Sequence, residues 1–262
     1  LNYSPFNMSQ KVHFIAIGGS VMHNLAIALH RQGYQITGSD DEIYDPAHTR
    51  LQNLGLLPAE MGWFPEKIHA ELDAIILGMH ARKDNPELAR AQELGLPIYS
   101  YPEYIYQQSL NKQRVVIAGS HGKTTITSII LHAMRVNNRT FDYLVGAQLD
   151  GFDTMVKLSE NAPVIIVEGD ESPASPTDLS PKFLHYHPHV ALISGIAWDH
   201  FNVFPTWESY VRQFEKLADS LSKSGILIFD ETDDMLDVIG KNERADVRPV
   251  PYEAHPHKIV NG

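Results

Sequence analysis

The 262-residue chain contains no cysteine. Disulfides and thiolate metal sites are therefore excluded, and the composition fits a reducing compartment. Basic charge is scarce too: 21 Lys and Arg stand against 32 Asp and Glu, a formal net charge of −11. That leaves no basic footprint for nucleic acid or an anionic membrane surface, so an anionic ligand must be held by a local site. No apolar run approaches the roughly 20 residues that span a bilayer. The stretch Leu1 to Asn7 lacks the basic and apolar zones of a secretory signal. Met8 reads as the natural start, and residues 1–10 read as a flexible leader on a cytoplasmic protein. Repeats and low-complexity tracts are also missing.

Hydrophobic residues make up 43% of the chain, enough for two packed cores. The chain is organised around one stretch, Val115-Val116-Ile117-Ala118 followed by Gly119-Ser120-His121-Gly122-Lys123-Thr124-Thr125. It reads as a buried strand, a glycine-bounded loop and a helix start. Such a turn aims several backbone N–H groups at one spot, where the helix N-terminus adds about half a positive charge. Phosphate fits there, with Lys123 reaching the β- and γ-phosphates and the Thr124 hydroxyl available to Mg²⁺. The loop is shorter than the usual Walker A, because Ile117 stands where the first glycine belongs.

The chain before this loop alternates strands and helices. Lys11 to Ile17 reads as a strand running into Gly18-Gly19-Ser20, a helix follows to Gly33, and Tyr34 to Gly38 forms a second strand closed by Ser39-Asp40-Asp41. This is a βαβ unit with a phosphate-friendly first turn. It is a poor dinucleotide fingerprint, since Ser20 and His23 occupy the later glycine positions. A sugar nucleotide is as reasonable as NAD, and Asp40 is either a ribose-binding acid or a strand-end turn residue. Further strands are expected at 74–78 and 97–100, and helices at 48–56, at 85–95 with Pro86 in its first turn, and from Tyr101. The polar segment Ser109 to Arg114 reads as a linker.

Beyond the loop, Pro163 to Val167 is apolar up to Glu168, which opens Glu168-Gly169-Asp170-Glu171-Ser172. An acid at the carboxyl end of a strand beside a phosphate loop is where a Mg²⁺ ligand belongs, and three clustered acids would favour a cation. A solvated acidic turn is the alternative. Val190 to Gly195 is another strand, leading to Asp199-His200, a possible metal or supporting pair. His185-Tyr186-His187-Pro188-His189 reads as a solvated strand entry. A helix over 207–221 and a strand over 225–229 follow, and the proline-punctuated end carries no clear element.

These motifs, in this order, resemble the Mur ligase family, ATP-dependent ligases of peptidoglycan assembly and recycling, from about residue 11 onward. The resemblance rests on Gly18-Gly19-Ser20-Val21-Met22, on Gly119 to Thr125, on Glu168 to Ser172 and on Asp199-His200. It implies an α/β fold. Residues 11–110 would be a Rossmann-like UDP-sugar-binding domain, and residues 111–262 a P-loop-type central ATPase domain with a mostly parallel sheet. The family's third, C-terminal peptide-binding domain would be absent. Lys123, Glu168 and His200 would be catalytic, with Thr124, Glu168 and His200 on metal and Gly119 to Thr125 on ATP. Gly18, Gly19 and Ser20 would take the UDP diphosphate, and Ser39, Asp40, His80 and Asn85 the uridine and sugar. At the position where the family carries Asn this chain has Gly195, so a polar contact is expected to be missing or replaced.

The implied partners are UDP-N-acetylmuramate and a murein peptide, with ATP and Mg²⁺ as cofactors and neither nucleic acid nor membrane involved. The lactyl carboxylate would be phosphorylated to an acyl phosphate, and an amine would then displace the phosphate. Three local features resemble the branch that uses an L-alanyl-γ-D-glutamyl-meso-diaminopimelate tripeptide rather than the one that uses L-alanine. They are Gly38-Ser39-Asp40 with Tyr44 and Pro46, Lys182-Phe183 through Tyr186 and Pro188, and Asp199-His200 with Val203-Phe204. A nicotinamide oxidoreductase would leave Gly122-Lys123-Thr124-Thr125 unexplained. A non-catalytic nucleotide-binding regulator stays open through Gly195.

Overall fold

The computed structural model describes residues 10–199, 201–241 and 244–253. In chain order the first half runs β1 (Lys11–Ile15), α1 (Ser20–Arg31), β2 (Gln35–Ser39), α2 (Ala47–Asn53), β3 (Ala74–Leu77), α3 (Pro86–Glu93), β4 (Ile98–Ser100) and α4 (Tyr101–Gln107). Its strands form one parallel sheet in the order β2-β1-β3-β4. The second half runs β5 (Gln113–Ala118), α5 (Lys123–Val136), β6 (Asp142–Leu144), β7 (Val156–Lys157), β8 (Val164–Glu168), β9 (Val190–Ile193), α6 (Trp207–Asp219), β10 (Ile226–Asp230), α7 (Asp234–Lys241) and β11 (Arg248–Tyr252). These strands make a second sheet, β11-β10-β9-β5-β8-β6-β7, parallel except for the β6–β7 pair. The expected α/β class with mostly parallel sheets is thus what the chain forms.

The strand sequences explain this burial. Val12, Phe14, Ile15, Ile75 and Ile76 in the first sheet, and Val116, Ile165, Ala191 and Leu227 in the second, are fully buried. Central parallel strands are covered on both faces and read as continuous apolar runs. In each sheet the connections wind outward in two directions, from β1 in the first and from β5 in the second. Ligands in such sheets sit beyond the carboxyl ends of the strands at that switch point. Those ends carry Gly18–Ser20 in one sheet and Gly119–Lys123 with Glu168 in the other.

Two elements differ from the sequence reading. The proline-punctuated end contains α7 and the outer strand β11. The Arg248 N–H donates to the Gly225 carbonyl and the Tyr252 carbonyl accepts from Glu231, so these alternate residues face β10. Pro249 and Pro251 therefore turn their missing N–H positions outward, the one side of an edge strand where proline costs no ladder bond. The linker is also not loose. Lys112 is 3% exposed, pairs with Asp142 at 3.0 Å, and donates to the Ser159 and Ala162 carbonyls. Arg114 donates to the carbonyls of Ser109 and His187, and its N–H donates to His189 Nδ1. His187 is exposed, as the solvated reading expects, while its carbonyl and the His189 ring join this clamp. His187 also lies 4.7 Å from the Tyr106 ring.

Further bonds join the halves beside the clefts. Arg50 of α2 donates to Asn24 Oδ1, to Gln148 Oε1 and to the Asp153 carbonyl. The Met155 N–H donates to the same Asn24 oxygen at 3.0 Å.

Removing one partner of a buried ion pair strands the other charge, at a cost of about 3–5 kcal/mol. Lys112→Met is expected to lower unfolding stability by about that amount in urea titrations, and Lys112→Met with Asp142→Leu to recover most of it.

Candidate nucleotide and sugar site

Helix starts differ in a telling way, and those of α2 and α7 are served by an acid just before them, Asp45 accepting from the Thr49 N–H and Asp233 from the Met235 and Leu236 N–H groups. Those of α3, α4 and α6 are capped by the side chains of Asn85, Ser100 and Thr206. The starts of α1 and α5, at Gly19 and Gly122, have no side-chain cap and no acid in the first turn. An uncapped helix leaves N–H groups that an anion can satisfy. Both of these starts border open space. A cavity of about 730 Å³ is lined by Gly18, Gly19, Ser20, Asp40, Tyr44, Arg50, His80 and Gly146 among others. A second, of about 410 Å³, is lined by Gly19, Ser20, His80, Lys123, Gly146, Glu168, Asp170 and Lys182 among others. Gly19, Ser20, His80 and Gly146 border both, so the two cavities are parts of one cleft.

The loop before α5 is shaped by its neighbours. Gly119 has φ +123°, and a Cβ there would lie 2.3 Å from Ser194 Oγ. Any side chain would therefore force the loop off β9. Ser194 Oγ donates to the His121 carbonyl at 2.6 Å, and the Gly195 carbonyl accepts from the Ser120 N–H. Gly195 itself has φ +150°, a conformation suited to glycine. The Ser194 hydroxyl and the Gly195 carbonyl thus hold the loop against the end of β9. Ser120 is buried, and its hydroxyl pairs with the Tyr210 hydroxyl and accepts from the Ala197 N–H. Its side chain serves the loop's anchorage. His121 and Thr125 are exposed.

Oxygen ligands converge where Mg²⁺ would sit. Thr124 Oγ1 donates to Glu168 Oε1 at 2.7 Å, and Glu168 Oε2 accepts from the Gly146 N–H. A hydroxyl and a carboxylate side by side at a helix start are the hard oxygen donors that Mg²⁺ takes, so the residues fit the ion. Lys123 donates to the Gly119 carbonyl at 2.8 Å and to Glu171 Oε2 at 2.9 Å. Lys182 donates to Asp170 Oδ2 at 2.7 Å and to Ser172 Oγ at 2.6 Å. Burial pushes the Asp170 carboxyl up, but Lys182 and the Ser172 bonds outweigh it and hold it below the ordinary range. Two of the three clustered acids, Asp170 and Glu171, are thus paired with lysines, while Glu168 is met by a hydroxyl and a backbone N–H. His200 lies outside the described residues; Asp199 next to it is exposed.

In the first half, Ala16 takes φ +69° to turn the chain off β1, and its N–H donates to the Ser39 carbonyl. A non-glycine residue in this region stores strain and is found disproportionately at functional loops. Gly18 N–H donates to Asp40 Oδ2 at 2.7 Å, which places Asp40 at the mouth of the glycine loop. Burial, against the opposing Gly18 bond, pushes the Asp40 carboxyl up to about 6. His80 is exposed on the cleft. Ser39 and Asn85 are placed differently. The Ser39 side chain is fully buried and takes a 3.1 Å bond from Lys67. Asn85 Oδ1 caps α3 by accepting from the Glu87 and Leu88 N–H groups. Neither lines the cleft. Gly146, Arg50 and Lys182 do line it, and sequence reasoning gave none of them a role.

Residues 11–113 match the family model described as "Mur ligase family, catalytic domain", and residues 117–260 match "Mur ligase middle domain". A UDP-N-acetylmuramate–L-alanyl-γ-D-glutamyl-meso-2,6-diaminoheptandioate ligase from Haemophilus influenzae is 27% identical over 220 residues, covering 83% of this chain and 48% of the relative. A UDP-N-acetylmuramate–L-alanine ligase from Desulforamulus reducens is 30% identical over 220 residues, covering 84% and 46%. The chain thus spans about half the length of these curated relatives. In fold, it is similar to a solved UDP-N-acetylmuramate:L-alanyl-γ-D-glutamyl-meso-diaminopimelate ligase from Neisseria meningitides. That structure gives a TM-score of 0.82 at 23% identity, covering 94% of this chain and 78% of that one.

Asp40 binds its proton more tightly folded than unfolded, so its contribution to stability is fully present below its ordinary value of 3.8 and is lost as pH rises through about 6. Wild type compared with Asp40→Asn in urea titrations is expected to lose stability between pH 4 and pH 7, with a slope of at most about 1.4 kcal/mol per pH unit.

Proposed function

Because the chain belongs to the Mur ligase family, we propose that it supplies the sugar-nucleotide and ATP sites of an ATP-dependent amide-forming ligase. Residues 11–110 would form the UDP-sugar domain and residues 111–262 the ATP domain. The observation that carries this reading is the shared cleft, where the uncapped starts of α1 and α5 border one continuous space.

The division of labour follows from position. Gly18, Gly19 and Ser20 present the α1 start to a diphosphate, and Asp40 and His80 flank it for the uridine and sugar. The α5 start and Lys123 receive the triphosphate of ATP. Lys123 leaves Glu171 for phosphate, a short swing of a flexible side chain. Thr124 and Glu168 would hold Mg²⁺, which supplies charge neutralisation at the transferring phosphoryl group. The residues around the cleft bring a carboxylate and a phosphate together and offset their repulsion, a contribution that can dominate catalysis. We assign the acceptor as UDP-N-acetylmuramate and the amine as the L-alanyl-γ-D-glutamyl-meso-diaminopimelate tripeptide. The local features at Tyr44 and Pro46, Lys182 to Pro188, and Val203-Phe204 support the tripeptide. The reaction draws on cytoplasmic ATP and UDP-sugar, and the described residues contain no helix long and apolar enough to cross a membrane. UDP-N-acetylmuramate–L-alanine ligation is the second reading, favoured by the 30% identity to a relative of that name.

Lys123→Ala is expected to lower ATP turnover about 100-fold or more, the scale seen when a donor to the developing charge is lost, in an assay of ADP release by the full-length protein with UDP-N-acetylmuramate. In the same assay the tripeptide should support release and L-alanine should support little; the reverse preference moves the protein to the second reading.

A further inference from the structure

The cleft holds a second ammonium group that the ATP site does not use. Lys182 sits on a 3-10 turn (Lys182–Tyr186) that follows the acidic loop after β8. Its side chain is 12% exposed and borders the 410 Å³ part of the cleft together with Ser20, Met79, His80 and Glu168. A lysine ammonium has three N–H donors. Asp170 and Ser172 hold it at 2.7 and 2.6 Å, and its Nζ lies 5.6 Å from the centre of the Tyr101 ring. The two held bonds fix the ammonium at the cleft wall and leave one donor to answer a ligand.

The cleft's geometry says which ligand. A diphosphate at the α1 start directs the attached sugar past Gly19, Ser20, His80 and Gly146 into the space where Lys123 and Lys182 stand. Lys123 comes from the α5 start and faces the phosphates there. Lys182 comes from the other wall, beside Tyr101 and Asp170. An acidic substituent on the sugar meets Glu168 and Asp170 in this space, and the Lys182 ammonium on the same wall offsets that repulsion. We propose that Lys182 binds the carboxylate of the acceptor sugar, holding it for phosphorylation and selecting acidic over neutral UDP-sugars. This rests on the sugar-nucleotide reading of the cleft given above.

Two probes that differ by that carboxylate test it: UDP-N-acetylmuramate and UDP-N-acetylglucosamine, which lacks the lactyl group. Their dissociation constants are measured by calorimetry on this chain. Wild type is expected to prefer the acidic ligand at least tenfold, the scale of one charge-assisted hydrogen bond. Lys182→Met is expected to abolish that preference while leaving UDP-N-acetylglucosamine affinity within about twofold, and Lys182→Arg to retain most of it. Because Lys182→Met leaves Asp170 without its partner, Lys182→Met with Asp170→Asn is measured beside it and should show the same loss. If both ligands bind and the preference survives in both methionine variants, the assignment of Lys182 is overturned and the cleft reading stands. If both affinities fall together in both variants, Lys182 is structural and the assignment is again overturned. If wild type binds neither ligand, the sugar-nucleotide reading fails first and takes this inference with it.

Discussion

Two parallel sheets can share one ligand cleft only if the chain between them is held still, and here buried cations hold it. Lys112 reaches Asp142 and two carbonyls, while Arg114 ties the end of α4 to the turn before β9. A buried charge without its partner is among the costliest defects a protein can carry. The segment therefore has little freedom to drift, and the carboxyl ends of β1 and β5 remain directed at one space. Arg50 and Asn24 add a second seam beside the cleft itself.

Within that space the chemistry is one of matched opposites. Each cation near the phosphate loop already has an anion: Lys123 has Glu171, and Lys182 has Asp170. Glu168 is satisfied by a hydroxyl and a backbone N–H. Both lysines are thus paired before any ligand arrives. In the proposed reading a phosphate would take the place of Glu171 at Lys123, while Lys182 would keep Asp170 and meet a ligand with its remaining donor. A net charge of −11 is compatible with the proposed binding of anions, because helix starts and lysines act locally.

The glycine loop before α5, the glycine turn after β1 and the acid at the end of β8 were legible in the sequence because each is a local pattern with a local cause. A glycine between a β-branched run and a helix, or an acid ending an apolar strand, declares its place without knowledge of the rest. What was not legible depended on distant partners. Ser39 faces Lys67, and Lys182 faces a cleft wall built by another sheet. Asn85 is an intermediate case: an Asn directly before a helix-opening Pro is a cap signal, and Asn85-Pro86 could have been taken that way. Proline at 249 and 251 argued against a strand, since the outward direction of those residues is visible only once β10 is in place.

That outward direction matters beyond the one protein molecule. A sheet rim that offers a regular row of N–H and carbonyl groups is a template on which a second chain can grow. Here the outward residues of β11, Pro249 and Pro251, offer carbonyls but no N–H, so a neighbouring strand docking there would find its acceptors unanswered. The same two residues that hid the strand from the sequence thus make it a poor seed for polymerisation, guarding the sheet's last edge against its own copies.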